Sequence, residues 1–296
     1  MSMDSAILKN KAAEADEIIR QYLFPQEGLL KTLAEACNYS VLAGGKRLRP
    51  IIMKASYEAF GGNGPEIGPF MAAIEMIHSF SLVHDDLPCM DNDEFRRGKP
   101  TTWKQYGYAM AVLAGDELSI AAFETAAKAA DLGGDAARVI RALSVLAQKA
   151  GLYGMMGGQS LDVERTGEPL TKEELNLIYR QKTGALLEAS MMIGCILAGG
   201  TEEQAEECGR IASLVGMGFQ IRDDILDETA TTEQLGKPVG SDRKNEKTTY
   251  VTAYGLERSG QFAAEYTKEA VGRLSVLLPE DTFLKELFLY LIDREF

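Results

Sequence analysis

Apolar residues recur at intervals of three and four along most of the chain, and this spacing predicts amphipathic or buried helices. Strand-like alternation of β-branched residues is nearly absent. Glycine pairs such as Gly61-Gly62 and Gly199-Gly200 divide the helical stretches. The predicted helices cover residues 4–22, 29–42, 49–60, 70–87, 110–130, 136–153, 172–198, 202–227, 247–254, 256–277 and 282–293. We expect an all-α, single-domain bundle of about ten or more helices spanning residues 1–296.

Two of these helices begin with a recognisable capping pattern. Thr171 precedes Glu174 by three residues, and Thr201 precedes Gln204 by the same interval. At that spacing each side chain can satisfy a free backbone amide of the other residue. Both patterns predict a helix start at the next residue.

Composition and charge restrict the function. The formal net charge is −13, which argues against a general nucleic-acid binder because such proteins need a basic surface. No apolar run approaches the roughly 20 residues that a membrane span requires, and the polar first residues do not resemble a secretory signal. The four cysteines lack the spacing of a metal or redox motif. We expect a cytoplasmic protein without a membrane span.

Two aspartate clusters are the main chemical signal. The first, residues 85–91, reads Asp-Asp-Leu-Pro-Cys-Met-Asp, and the second, residues 223–227, reads Asp-Asp-Ile-Leu-Asp. Each follows an apolar helical stretch. Pro88 should end the first helix nearby, so that Asp91 can fold back towards Asp85. Asp223 and Asp227 share a helix face, where like charges repel unless a cation intervenes.

A solvated helix end is the alternative interpretation of a single acid cluster. Two clusters with apolar flanks make that alternative weak, because carboxylates near apolar surroundings need a counter-charge. Ligand sets made only of oxygen suit Mg²⁺ or Ca²⁺, and Mg²⁺ commonly uses one or two carboxylates together with substrate phosphates. The pattern therefore predicts magnesium and a phosphorylated substrate.

Basic residues are few but grouped near these clusters. They form a loop at residues 44–50, a run at residues 96–99 directly after the first cluster, and Lys182 in a predicted long helix. Arginine binds phosphate through its planar fork, and lysine binds it as a point charge. The alternative for any one of them is a surface cation, and we expect Arg47 and Lys99 to be of that kind. His78 lies two helical turns before Asp85, whereas His84 is expected to be structural.

Together these segments resemble the trans-isoprenyl diphosphate synthases. The matching motifs are residues 44–50, 85–91, 96–98, 158–162, 182–184 and 219–227, in the order found in that family. The resemblance implies the isoprenoid-synthase fold, with helices around a central catalytic cavity, and a magnesium-dependent prenyltransferase. It also implies a homodimer, with isopentenyl diphosphate and allylic diphosphates as substrates.

The resemblance also implies a role for individual residues. The metal residues would be Asp85, Asp86, Asp91, Asp223 and Asp227. Asp85 and Asp91 would bind two magnesium ions and Asp223 a third, while Asp86, Asp224 and Asp227 would support these ions through water or from behind the direct ligands. The allylic diphosphate would be held by Arg96, Lys182, Gln220, Lys237 and Lys247, with Thr183 near the reacting carbon; of these, Lys182, Thr183, Gln220 and Arg96 are the expected catalytic residues. Isopentenyl diphosphate would be held by Gly45, Lys46, Arg49, His78 and Arg97. Arg294 is a candidate for closing over that second substrate.

Product length follows from Phe80, five residues before Asp85, with the small Ser81 beside it. In the family an aromatic side chain there limits the growing chain, which predicts a farnesyl product of fifteen carbons. A geranylgeranyl product of twenty carbons is the alternative, because residues 87–101 also resemble synthases of that kind. A class I terpene cyclase and a non-catalytic synthase subunit are further alternatives. The second aspartate cluster and the complete set of acids argue against them.

Overall fold

The computed structural model describes residues 5–229 and 248–293, and it is almost entirely helical there. A short 3₁₀ turn, Gly28–Leu30, follows the first helix, and a π-helical turn, Tyr179–Gly184, follows the ninth. The helices are α1 (Ser5–Arg20), α2 (Lys31–Val41), α3 (Leu48–Ala59), α4 (Ile67–Asp85), α5 (Thr102–Tyr106), α6 (Tyr108–Ala127), α7 (Ala136–Ala150), α8 (Met155–Glu164), α9 (Lys172–Ile178), α10 (Ala185–Ala198), α11 (Glu202–Thr229), α12 (Tyr250–Tyr254), α13 (Leu256–Leu277) and α14 (Phe283–Asp293). The all-α prediction is confirmed.

Helices α5 and α8 and the two short strands were not predicted. Helix α5 is only five residues long, and a two-stranded hairpin pairs β1 (Phe95–Arg96) with β2 (Lys99–Pro100). Elements this short contain too few residues to show a periodicity. Helix α8 contains Gly157 and Gly158, which as a pair favour a break. They are tolerated because the helix passes close to the π turn: a Cβ on Gly158 would collide with the backbone of Lys182.

The chain divides into two compact units. The first unit consists of residues 5–54 and 63–143. The second unit comprises, among the described residues, 55–62, 144–229 and 248–293. The proposal of one domain over residues 1–296 stays a prediction.

In the first unit, α4 forms the centre and packs along α6. Nearly every residue of α4 up to Phe80 is buried, including Phe70, Ile74 and Ile77, none of which has exposed surface. A helix that is apolar on all sides is stable only inside a core. The end of α4 therefore has a fixed position, and Asp85 is its last residue.

In the second unit, α11 packs against α10 and α13. Gly216 of α11 lies against Gly184 at the end of the π turn, where an added Cβ would be 2.8 Å from the glycine Cα. This close approach brings the π turn next to the acidic end of α11.

The two predicted capping patterns are confirmed. Thr171 and Glu174 exchange side-chain-to-backbone hydrogen bonds at the start of α9, and Thr201 and Gln204 do the same before α11. Within the ranges that the structure describes, no helix is both long enough and apolar enough to span a bilayer.

Candidate active site

The first acid cluster begins where α4 ends. Asp86 caps the helix, and its backbone N–H donates to the carbonyl of Leu82. Pro88 prevents the helix from continuing. The backbone N–H of Asp91 then donates to the carbonyl of Asp85 at 2.9 Å, so the chain folds back as predicted. Asp85 is partly exposed and Asp91 is exposed, and both carboxylates belong to the same turn of chain.

Asp86 has a different environment from its neighbours. It is buried, and its Oδ1 accepts from Arg96 Nε at 2.8 Å and lies 2.6 Å from Arg96 Nη2. Burial raises the pKa of Asp86, whereas the hydrogen bonds from Arg96 lower it. In this structure Asp86 is the counter-ion of Arg96. Its assignment as a metal ligand stays a prediction.

The hairpin that contains Arg96 also positions Arg97. Arg97 occupies the left-handed backbone region (φ 53°), and its guanidinium donates to the carbonyl of Gly44. A Cβ on Gly45 would lie 2.6 Å from the nearest Arg97 nitrogen. Glycine at position 45 (φ 131°) is therefore favoured mainly by the backbone conformation, and any other side chain would also have to displace the Arg97 guanidinium.

Arg47 lies in the same loop, and the expectation that it is a surface cation is wrong. It is 4% exposed and forms ion pairs with Asp16 at 2.7 Å and Glu75 at 2.5 Å. It also donates to the carbonyl of Val41. These contacts use all three guanidinium nitrogens of Arg47 and help to hold its backbone in the left-handed region (φ 50°). Lys99, the other expected surface cation, is exposed.

Arg49 and His78 form the inner part of this cationic region. Burial is the main cause that lowers the pKa of Arg49 to about 10, and nearby Arg97 contributes. The buried Nε of Arg49 has no hydrogen-bond partner in the part of the chain that the structure describes. Burial, followed by the charge of Arg49 and the other arginines, lowers the pKa of His78 well below its usual value, so the ring is neutral at pH 7. An unsatisfied guanidinium N–H in such surroundings suits an anionic ligand.

Gly45 and Lys46 are exposed at the loop surface. The structure therefore brings Gly45, Arg49, His78 and Arg97 into one region of the first unit: Arg97 lies against Gly45, and the charges of Arg49 and Arg97 act on His78.

The second acid cluster is at the C-terminal part of α11 in the second unit. Asp223 is partly exposed, whereas Asp224 is 3% exposed and Asp227 is 2% exposed. The carboxylate of Asp224 accepts hydrogen bonds from the Tyr179 hydroxyl at 2.5 Å and from the Tyr250 backbone N–H at 3.1 Å. The cluster thus presents one accessible carboxylate and two buried ones.

The π turn places Lys182 and Thr183 in a cavity of about 110 Å³ in the second unit. Lys182 Nζ donates to Asp162 Oδ2 at 2.6 Å, and the Thr183 hydroxyl donates to Gln220 Oε1 at 2.8 Å. The cavity is also lined by Tyr179 and Asp224. The sequence interpretation gave no role to Tyr179 or Asp162. The sequence did contain a signal for Asp162, because this residue is the last one of the matched motif at residues 158–162.

The residues near Phe80 belong to the end of α4. Phe80 is 5% exposed, and its ring meets the His84 ring edge-on at 5.9 Å. The Ser81 hydroxyl donates to the carbonyl of His78, one turn earlier. His84 Nε2 lies 3.2 Å from the carbonyl oxygen of Val112, and its ring lies directly over Gly115 of α6. These contacts agree with the structural role expected for His84.

Three of the predicted residues, Lys237, Lys247 and Arg294, lie outside the described residues.

The acidic side chains fit a magnesium ion that is also bound by water and substrate better than a metal ion bound by protein ligands alone. Among residues 5–229 and 248–293, no three acidic, histidine or cysteine side chains converge as a preformed metal site. The accessible acids, Asp85, Asp91 and Asp223, supply oxygen only. Mg²⁺ takes few carboxylates and completes its octahedron with water and substrate phosphates.

Comparisons with known proteins agree with this chemistry. Residues 30–275 match the polyprenyl synthetase family. The chain is 44% identical to a chloroplastic geranylgeranyl pyrophosphate synthase of Capsicum annuum over 92% of this chain and 71% of that protein. It is 43% identical to a farnesyl diphosphate synthase of Geobacillus stearothermophilus over 86% of each chain. A solved geranyltransferase from Helicobacter pylori, complexed with magnesium and isoprenyl diphosphate, superposes with a TM-score of 0.84 at 30% identity, covering 99% of this chain and 98% of that one.

Proposed function

The chain belongs to the polyprenyl synthetase family, and we propose that it condenses isopentenyl diphosphate with dimethylallyl and then geranyl diphosphate to make farnesyl diphosphate. The observation that carries the proposal is the arginine region around Arg49, whose buried Nε lacks a partner within the described residues, in the unit that also contains Asp85 and Asp91. Burying a guanidinium N–H without a partner is costly, and a bound diphosphate would supply that partner.

Magnesium, when bound, supplies Lewis-acid stabilisation of the diphosphate that leaves. We propose that Asp85 and Asp91 hold two ions and Asp223 a third. The supporting observation is that these carboxylates are accessible, whereas Asp86, Asp224 and Asp227 are buried. Asp86 then acts by orienting Arg96, which is one of the cations proposed for the allylic diphosphate.

The remaining allylic contacts are proposed for Lys182, Lys237 and Lys247, with Thr183 and Gln220 next to the reacting carbon. When the allylic C–O bond breaks, the electron pair leaves with the diphosphate and a carbocation remains. Cations already in place stabilise the leaving charge without reorganisation. The oxygens of Thr183 and Gln220 are proposed to stabilise the carbocation. Apolar residues of the second unit keep water away from it.

Isopentenyl diphosphate is proposed to bind to Gly45, Lys46, Arg49, His78 and Arg97. Neutral His78 can donate one hydrogen bond without adding charge, while the arginines neutralise the diphosphate. The double bond of isopentenyl diphosphate attacks the carbocation, a carbon–carbon bond forms, and loss of a proton completes the product. We propose that the departed diphosphate takes this proton.

Product length is proposed to be set by Phe80. It is buried on α4, one and a half turns before Asp85. We propose that its ring blocks further growth of the product chain. Geranylgeranyl diphosphate is the second candidate, because the 44% identity to the Capsicum annuum enzyme is as high as that to the farnesyl enzyme. The homodimer is likewise kept as a proposal.

A product assay tests the proposal. Purified protein is incubated with magnesium, isopentenyl diphosphate and dimethylallyl diphosphate, and product length is read by mass spectrometry. We expect a fifteen-carbon diphosphate that disappears with chelator and returns with added Mg²⁺. A twenty-carbon product would refute the assigned length and keep the reaction. Absence of condensation by the chain alone would favour the subunit or cyclase alternatives.

A further inference from the structure

Asp224 is chemically unlike the other acids of its cluster. It is 3% exposed, and within the described residues its carboxylate accepts from the Tyr179 hydroxyl at 2.5 Å, the Tyr250 backbone N–H at 3.1 Å and Gln220 Nε2 at 3.4 Å. These donors come from the π turn, from α12 and from α11 itself. A carboxylate enclosed in this way is poorly placed to ligate a metal ion.

The hydrogen bond from Gln220 determines how its amide is oriented. An ionised carboxylate can only accept hydrogen bonds, so the NH₂ end of the amide must face Asp224. The carbonyl end then faces away, and Gln220 Oε1 lies 2.8 Å from the Thr183 hydroxyl. The two ends of an amide have nearly the same shape, so their placement here is decided by the Asp224 carboxylate, which can accept only from the NH₂ end.

The orientation of the amide in turn determines the Thr183 proton. Because Gln220 presents a carbonyl oxygen, the Thr183 hydroxyl donates to it. The remaining lone pairs of the Thr183 oxygen are then free to face the cavity that Thr183 and Lys182 line. A reversed amide would present N–H to Thr183 and make the hydroxyl direct its proton elsewhere.

We propose that Asp224 is a positioning residue: through Gln220 it makes Thr183 present oxygen lone pairs, rather than a proton, to the positively charged carbon. This inference rests on the proposed prenyl transfer, and it assigns Asp224 to the carbocation rather than to magnesium. Charge reinforces the direction, since a carboxylate polarises the amide and makes Oε1 more negative.

Asp224→Asn tests the direction of the relay with little change in shape. The new amide oxygen can still accept from Tyr179 and Tyr250, while its NH₂ faces Gln220 and forces that side chain to reverse. We expect kcat to fall about tenfold, the effect of losing about 1.4 kcal/mol of transition-state stabilisation. The KM values for both diphosphates and the half-saturating magnesium concentration should remain within about twofold of those of the wild type.

Asp223→Asn is the matched control, because it makes the same change at the adjacent position. We expect it to raise the half-saturating magnesium concentration. A second readout without turnover is thermal stabilisation by Mg²⁺ with inorganic diphosphate, which Asp224→Asn should retain in full and Asp223→Asn should reduce.

The decisive variant is the double substitution Asp224→Asn with Gln220→Glu. The carboxylate introduced at position 220 can only accept, so it takes hydrogen bonds from both the new amide at position 224 and the Thr183 hydroxyl, which restores the original direction. We expect kcat to recover to within about threefold of the wild type, whereas Gln220→Glu alone places two carboxylates together and is impaired. A double variant no faster than the slower single variant, or a magnesium defect in Asp224→Asn, overturns the inference. A wild-type protein that catalyses no condensation refutes the proposed function instead.

Discussion

Glu75→Ala tests the claim that the Arg47 ion pair determines the shape of the basic loop. Both partners are almost fully buried, with side-chain exposures of 2% for Arg47 and 4% for Glu75, and the pair is 2.5 Å long. Removing Glu75 leaves Arg47 with Asp16, whose side chain is one-third exposed. Breaking a buried pair from one side costs about 3–5 kcal/mol, because the remaining charge loses its compensation.

The loss of Glu75 should also affect binding. Arg47 uses its other nitrogens to hold Val41 and Asp16, and its left-handed backbone is part of the loop that contains Lys46 and Arg49. We expect the KM for isopentenyl diphosphate to rise at least tenfold, and the KM for the allylic diphosphate to change much less.

The assay is urea unfolding of the full-length chain followed by circular dichroism, combined with steady-state kinetics. Glu35→Ala is the matched control, because the Lys31–Glu35 pair is a solvent-exposed helical pair at 3.5 Å. Its loss should cost about 0.5 kcal/mol or less. If Glu75→Ala is no more destabilising than Glu35→Ala, or if both KM values rise equally, the reasoning about Arg47 is wrong.

Three further predictions concern His78, Phe80 and Gly216. The pKa of His78 is lowered in the folded state, so unfolding is accompanied by binding of a proton below pH 6.5. The free energy of unfolding should therefore fall between pH 7 and 5 by more in the wild type than in His78→Gln. An equal dependence of this free energy on pH in the two proteins would contradict the lowered pKa of His78. Phe80→Ala should shift the product from fifteen to twenty or more carbons in the mass-spectrometric assay, and an unchanged product would exclude Phe80 as the limit. Gly216→Ala should destabilise the protein by about 1–3 kcal/mol in urea and lower kcat, because the new Cβ meets Gly184 at 2.8 Å. Gly260→Ala, in open space on α13, is the control and should be neutral or slightly stabilising; equal effects of the two would refute the close contact.

The sequence by itself determined most of the helices, their caps and the turn at the first acid cluster. These features depend on neighbours in the chain: apolar spacing, Thr171 with Glu174, and a proline that ends α4 so that Asp91 folds back. The matched motifs also identified the chemistry of the site, because each is short and continuous.

Only the tertiary structure decided which charged groups are buried and with whom. Arg47 and Arg49 are two residues apart in one basic loop, yet Arg47 pairs with Asp16 and Glu75, while the Arg49 Nε has no partner in the described parts of the chain. Asp224 is next to Asp223 in the same acidic cluster, and only the packing of the π turn and α12 against α11 encloses its carboxylate. Such differences arise from contacts between residues distant in the chain, and helical periodicity and motif spacing contain no information about those contacts.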